Sequence, residues 1–384
     1  MVGAGLWTEG EAGRESRFLG AQASQGEGVK SYAELSEEEK ATIYIAALIM
    51  HWLTGWGWRK IRRKLIELYN VDPGKANLIN WLYRGKKPKF KPRTFEKALF
   101  YHEAYRMALE LKERHPGWGH KRIAAELSRR LPVHVPATTV YYWITGRSKP
   151  NVTPLKLSRE TLPAVAYCIG VGCGDYRRTD GGLKAKDREF IEHFAKMYEK
   201  ATGVRIEPRP CRDLDGAWET YESGGWLRSA LETGIWKVIA ELDPVNWLKG
   251  LYDSEGWPSP VINHKKRLLL APEIRLAIGD RFLKDFARKK LEELGFSLIE
   301  EYYGEKEEVV RGMRARFGEC WKLRFRGWNQ VKYFAKLIGF RVNYRRQLLQ
   351  DLLKLERYTP KERYKLWTLW YQKTGGRWRR KAYL

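Results

Sequence analysis

The chain has 384 residues, and its 72 Lys and Arg outweigh 46 Asp and Glu for a formal net charge of +26. Hydrophobic residues make up 43%, which excludes global disorder; the longest apolar run, Ile43–Met50, is too short to span a bilayer, and no basic start followed by an apolar run marks a secretory leader. The basic excess points to a polyanionic partner, nucleic acid first, while Cys168, Cys173, Cys211 and Cys320 form no CxxC pair, lack His at zinc-finger spacing and fit free thiols in a reducing cytoplasm.

Plentiful Lys, Arg and Glu with scarce Gln is a bias seen in hyperthermophiles, so an archaeal-like thermophilic source is expected. Residues 1–30 are rich in Gly, Ala, Ser and Glu without periodic apolar positions, and are expected to form a flexible tail. Order is expected from Ser36, which makes a capping box with Glu39 and starts a helix over Glu37–Leu53, with Ile43, Ala46, Ala47 and Met50 on its apolar face.

An ungapped internal repeat follows. Gly55–Pro88 and Gly117–Pro150 are identical at nine of 34 positions, against about two expected from composition. Each copy reads as a short helix, a turn and a second helix ending in Trp, with Ile61, Leu65 and Trp81 anchoring one core and Ile123, Leu127 and Trp143 the other. The pattern resembles the helix-turn-helix of resolvases and transposases, whose second helix enters the major groove. That resemblance implies one unit over 31–92 and another over 93–154, with Lys75, Asn77 and Asn80 facing DNA in the first and Thr138, Thr139 and Tyr142 in the second. Residues 55–93 hold 12 Lys and Arg and only two acids, which suits phosphate contacts. Two purely structural helical hairpins are the alternative. Ser148–Pro154 has linker chemistry, so residues 31–150 are expected to form an autonomous DNA-binding arm tethered to the rest.

Beyond the linker two segments stand out, AYCIGVGCGDY (Ala166–Tyr176) and NWLKGLYDSEGW (Asn246–Trp257). Each reads as an apolar helix ending in an acid, Asp175 and Glu255. Thr161 or Ser158 starts the first, and Asp243 with Pro244 starts the second. Gly170 and Gly174, then Gly250 and Ser254, put small residues on one face of each helix, where two backbones can approach closely. A carboxylate at a helix C-terminus faces the negative end of the macrodipole, and two side by side repel. Divalent cations between them would remove the conflict, and hard oxygen ligands suit Mg²⁺ (or Mn²⁺), which polarises phosphodiesters and activates water. A GxGxG phosphate loop over Gly170, Gly172 and Gly174 is the weaker alternative, because these residues fall late in a helix without a preceding strand.

These segments resemble the LAGLIDADG homing endonucleases. Leu248, Gly250, Leu251, Asp253, Glu255 and Gly256 stand in motif positions, as do Gly170, Gly174 and Asp175, whereas Cys168, Cys173 and Tyr176 depart from the pattern. The resemblance spans about 165–352 and implies an α+β chain: all-α helix-turn-helix repeats followed by two pseudo-symmetric αββαββα subdomains, 155–242 and 243–352. It implies a monomeric, metal-dependent, site-specific double-strand DNA endonuclease, with Asp175 and Glu255 as catalytic metal ligands. By family analogy Lys184 or Lys186, and Arg341 or else Arg345 and Arg346, assist catalysis. Expected DNA-facing strand residues are Arg177, Arg178, Arg205, Arg209, His264, Lys265, Arg267, Arg275, Arg324 and Arg326. A DNA-binding regulator on the same scaffold and a maturase acting on intron RNA are the alternatives. Met1 and the Ala382-Tyr383-Leu384 end favour an intron-encoded or free-standing frame over an intein. In the segment 353–384, Thr359-Pro360 starts a helix that Gly375–Gly376 ends, and RWRRK (Arg377–Lys381) adds a basic patch.

Overall fold

The computed structural model describes residues 28–177, 181–212, 214–222, 224–310, 313–374 and 377–381. Most of the expected tail, and Arg178 among the expected DNA contacts, lie outside the described residues. Order begins before Ser36: β1 (Lys30–Ser31) pairs in parallel with a short strand, β2 (Val71–Asp72).

The N-terminal segment is two three-helix units. The first is α1 (Glu37–Thr54), α2 (Trp58–Tyr69) and α3 (Lys75–Tyr83); the second is α4 (Thr94–Arg114), α5 (His120–Arg130) and α6 (Ala137–Ile144). Ser36 caps α1 as its sequence demands, accepting from the Glu39 N–H while Glu39 accepts from the Ser36 N–H. The repeat maps onto α2–α3 and α5–α6. Ile61, Leu65, Ile123 and Leu127 are fully buried, and Trp81 and Trp143 close the two small cores. The same Trp–cation pair recurs in both copies: Lys60 sits 3.8 Å from the Trp56 ring centre and Arg122 4.2 Å from that of Trp118. One expectation changes here. The helix read as amphipathic is buried on all sides from Ala41 to Met50, because a second layer covers the face that α2 and α3 leave open.

That layer belongs to the mixed α+β remainder, which runs through the same order of elements twice. The first pass is α7 (Leu162–Gly174), β3 (Tyr176–Arg177), β4 (Gly182–Ala185), α8 (Arg188–Thr202), β5 (Arg209–Pro210), β6 (Trp218–Tyr221) and α9 (Trp226–Glu232); α10 (Trp236–Leu242) connects. The second is α11 (Pro244–Glu255), β7 (Gly256–Asn263), β8 (Leu268–Ile278), α12 (Arg281–Glu293), β9 (Ile299–Tyr303), an inserted hairpin β10 (Lys306–Val310) and β11 (Met313–Phe317), then β12 (Cys320–Arg326) and α13 (Trp328–Leu337). The sheets are antiparallel and share one topology, β3-β4-β6-β5 and β7-β8-β12-β9. Strand alternation divides their faces. In the second sheet Ile274, Leu276, Leu323 and Phe325 are fully buried beneath α12 and α13. Glu273, Arg275, Arg324 and Arg326 alternate with them onto the opposite face. In the first sheet Leu183 is buried beneath α8, and Lys184 and Glu219 take the other side.

The arm does not hang from a linker. Thr153 and Leu155 are buried, and the Leu155 and Lys156 N–H groups donate to Ala98 O (2.9 Å) and Ala201 O (2.8 Å). The units dock on α9 and α10: Tyr69 Oη donates to Gly234 O at 3.0 Å, Phe95 N to Ser229 Oγ at 3.1 Å, and Lys64 pairs with the largely buried Glu241 at 2.5 Å. α1 and α4 present apolar surface on two sides, and docking on α10 and α9 buries the second.

After α14 (Asn343–Lys354) comes α15 (Pro360–Trp370), capped by Thr359 as expected. It ends five residues earlier than the Gly375–Gly376 signal implies. Beyond it β13 (Tyr371–Thr374) pairs antiparallel with β14 (Arg377–Arg380) as a hairpin. Tyr371 carries the change of direction. It is buried, stacks on Trp367 at 4.1 Å and donates its hydroxyl to Asp351 at 2.8 Å. Among the described residues no helix is long and apolar enough to cross a membrane.

Candidate active site

α7 and α11 form the centre of the molecule, and glycine permits their contact. A Cβ on Gly170 would collide with the Trp247 carbonyl, whose carbon lies 2.9 Å from that position, and a Cβ on Gly250 would collide with the Tyr167 carbonyl. The relation is reciprocal: each glycine faces the residue three places before its counterpart. One turn on, a Cβ at Gly174 would stand 2.6 Å from Ser254 Cβ. The four small residues read from the sequence are the seam of this helix pair.

The seam ends in acids. Asp175 is the C-cap of α7 and Glu255 the last residue of α11, and their carboxyl groups lie close enough to influence each other directly. Burial pushes the Asp175 carboxyl above the ordinary carboxylate range; Arg345 and the contact with Glu255 pull it partly back. Arg345 is held in place by α11 itself. It lies in the first turn of α14, and its guanidinium donates to the carbonyls of Tyr252 (3.0 Å), Asp253 (2.5 Å) and Ser254 (3.1 Å). A cation thus caps the negative end of the motif helix beside the carboxylate pair.

Asp253 faces away from solvent. It is 1% exposed, accepts from Tyr167 Oη at 2.9 Å and from Arg341 N at 2.8 Å, and burial raises its carboxyl to about 6. It ties α7, α11 and the start of α14 together. Cys173 occupies the matching position on α7, so the two halves differ here.

Of the cations expected beside the acids, Arg345 is the one the fold brings there. Arg341 contributes its backbone N–H to Asp253 while its side chain is exposed. Lys186 is exposed past the end of β4, three residues beyond Leu183, which pairs with Tyr176. Lys184 instead pairs with Glu219 at 3.4 Å.

The open face of each sheet carries a basic cluster built on a buried glutamate. In the first, Glu219 receives Lys184, Arg209 (3.2 Å) and the Tyr221 hydroxyl (3.0 Å), and Arg177 donates to Tyr221 Oη at 3.1 Å. In the second, Glu273, 1% exposed, receives Arg275 (2.5 Å), Arg324 (3.3 Å) and Arg326 (3.5 Å). Neither glutamate is among the residues expected from sequence, although the Glu-Ile-Arg alternation of 273–275 is legible there. Lys265 and Arg267 are exposed at the β7–β8 turn, with His264 beside them. Arg205 sits in the loop after α8, paired with Glu207, and is not on a strand. In the repeats Lys75, Thr138 and Tyr142 are exposed and Thr139 is half-buried. Asn77 and Asn80 are half-buried: Asn77 donates to Pro73 O at 2.9 Å, and the buried Asn80 Oδ1 has no hydrogen-bond partner among the described residues.

No protein-family model matches the chain. It is similar to two uncharacterized proteins of Methanocaldococcus jannaschii. One is 21% identical over 262 residues, 63% of this chain and 90% of that protein; the other is 30% identical over 155 residues, 36% of this chain and 57% of that protein. Among solved structures it is similar to mesophilic variants of the homing endonuclease I-DmoI (16% identity, TM-score 0.32, covering 47% of this chain and 97% of that one) and to I-DmoI in complex with DNA and Mn (16% identity, TM-score 0.31, the same coverage).

Proposed function

We propose that the chain is a site-specific double-strand DNA endonuclease using a divalent metal, built as two pseudo-symmetric αββαββα halves of the LAGLIDADG kind. The observation that carries this reading is the contact between Asp175 and Glu255 at the end of a glycine seam, flanked by two sheets of equal topology with basic open faces. Two acids pressed together at two helix C-termini are a cost to folding. Their conservation of place in both halves is best accounted for by what they hold.

The donor set fits a hard cation. Among the described residues no group of three or more His, Cys, Asp and Glu forms a closed metal site, so the protein offers one carboxylate from each half. That suits Mg²⁺ or Mn²⁺, which is commonly held by one or two carboxylates and completed by water and phosphate oxygens. When bound, the metal supplies Lewis-acid activation of the phosphodiester and of water. Asp175 and Glu255 hold and orient it. Arg345 acts as a positioning residue, fixing the end of α11 and offsetting the local negative charge. Arg177, Arg209, Arg275, Arg324 and Arg326 bind the duplex along the two sheet faces, with Glu219 and Glu273 setting the directions of their guanidinium groups.

The three-helix units lengthen the binding surface through α3 and α6, with Lys75, Thr138 and Tyr142 outward. Because they dock on α9 and α10, they hold a fixed position relative to the cutting centre. The test is to incubate the full chain with Mg²⁺ and a pool of random-sequence duplexes and to sequence the ends produced. A recurrent site cut on both strands, absent in EDTA, is expected. Tight duplex binding without ends in any divalent metal would leave a DNA-binding regulator. Ends scattered without sequence preference would remove site specificity.

A further inference from the structure

Beyond the second αββαββα pass, the chain adds α14, α15 and the β13–β14 hairpin. This appendage is firmly built. Trp367 is fully buried against Leu269 of β8, Tyr371 stacks on it, and Trp378 meets it edge-on at 5.7 Å. Lys381 closes the base, donating from its backbone to Trp370 O at 2.9 Å and from Nζ to Thr368 O at 2.7 Å. So seated, the hairpin overhangs the open face of the second sheet and encloses with it a groove of about 230 Å³.

The groove is lined by Arg275, Arg324 and Arg326 from the sheet and by Lys373 and Trp378, cross-strand partners on the hairpin. Four cations thus line the groove with one carboxylate, Glu273, which is itself buried and engaged with the three arginines, while Arg324 also pairs with Glu301. A groove walled by fixed guanidinium groups on one side and by a lysine and an indole on the other suits a polyanion carrying flat groups. We propose that the C-terminal hairpin and the second sheet form a strand-clamping groove for the phosphodiester backbone of DNA, distinct from the carboxylate pair. The hairpin is the second wall: the sheet presents cations from below and Lys373 closes on the phosphates from the side. This rests on the DNA-binding reading above and adds a contact to it.

Lys373 is exposed and makes no part of the hairpin's core, so its replacement leaves the fold intact. The test is binding of the full chain to a random-sequence duplex by fluorescence anisotropy over a salt series, without divalent metal. Lys373→Glu is compared with Lys361→Glu, an equal charge change at an exposed position at the start of α15, outside the groove. Lys373→Glu is expected to weaken binding roughly tenfold or more, and Lys373→Ala to lower the slope of log K against log salt by about one, while Lys361→Glu stays within about twofold of wild type. Equal behaviour of Lys373→Glu and Lys361→Glu, with wild type binding the duplex, would overturn the groove alone. A wild-type chain with no salt-dependent duplex binding would overturn both the groove and the DNA-binding reading.

Discussion

Gly170 of α7 lies so close to the Trp247 carbonyl of α11 that no side chain fits between them. Gly250 and Tyr167 repeat the relation from the other side. Two backbones at this separation bring two helix C-termini, and hence Asp175 and Glu255, into contact.

The seam makes a graded prediction. Gly170→Ala and Gly250→Ala place a methyl group against backbone that cannot move without separating the helices, and each is expected to cost about 1–3 kcal/mol. Gly172→Ala on the same helix meets only the flexible Leu227 and Leu231 methyls, at 3.0 and 3.2 Å, and should cost less. Chemical denaturation of the three variants checks the order; equal changes in all three, or a gain from the higher helix propensity of Ala in each, would mean that the seam does not set the effect.

A second prediction concerns pH. Lys237 on α10 is 3% exposed, lies 4.2 Å from the Phe282 ring centre, and burial lowers its ammonium to about 8. A depressed lysine is bound less tightly by protons in the folded state, so stability should rise with pH from about 8 up to the unfolded value of 10.5. The gain is on the order of 3 kcal/mol for a fully buried group. Lys237→Met should remove this rise and stabilise the chain at neutral pH. Parallel pH–stability curves for the variant and wild type would contradict the assignment.

Removing the N-terminal units should do more than shorten the DNA footprint. A chain beginning near Val152 loses the docking of α1 and α4 and uncovers apolar surface on α9 and α10. It is expected to melt at lower temperature and to aggregate. Light scattering and thermal denaturation read this out; a truncated chain as stable and soluble as wild type would restore the picture of a tethered arm.

Much of this architecture is legible in the sequence, and the reasons are local. Ser36 and Glu39, Asp243 and Pro244, and Thr359 and Pro360 announce helix starts through capping chemistry that involves only neighbouring residues. The small residues at 170, 174, 250 and 254 announce the seam because their spacing matches the helix repeat. What escapes is non-local. Nothing near Pro154 tells that α1 is covered on a second side, and Tyr371 turns the chain only because Trp367 and Asp351 await it. Arg341 and Arg345 are equally basic in sequence. The start of α14 at Asn343 separates them, aiming Arg345 at the carbonyls of α11 and leaving Arg341 at the surface.

Arg345 therefore carries its own prediction. Arg345→Gln leaves three helix-terminal carbonyls without their guanidinium and Asp175 without the neighbouring Arg345 charge, at a cost of about 1–3 kcal/mol. Single-turnover cleavage should fall more than duplex affinity does, and Arg345→Lys should recover part of it, since Lys restores the charge without the planar fork. Affinity and cleavage falling together, with no recovery in Arg345→Lys, would reduce Arg345 to a structural cap.

The central claim is that Asp175 and Glu255 hold the metal that cuts DNA. Its most direct measurement compares wild type, Asp175→Asn and Glu255→Gln for Mg²⁺-dependent cleavage and for duplex affinity on the same substrate pool. Each substitution is expected to abolish double-strand ends while affinity stays within a few-fold, because neither acid is among the basic groups that bind the duplex. Undiminished cleavage by both variants would contradict it.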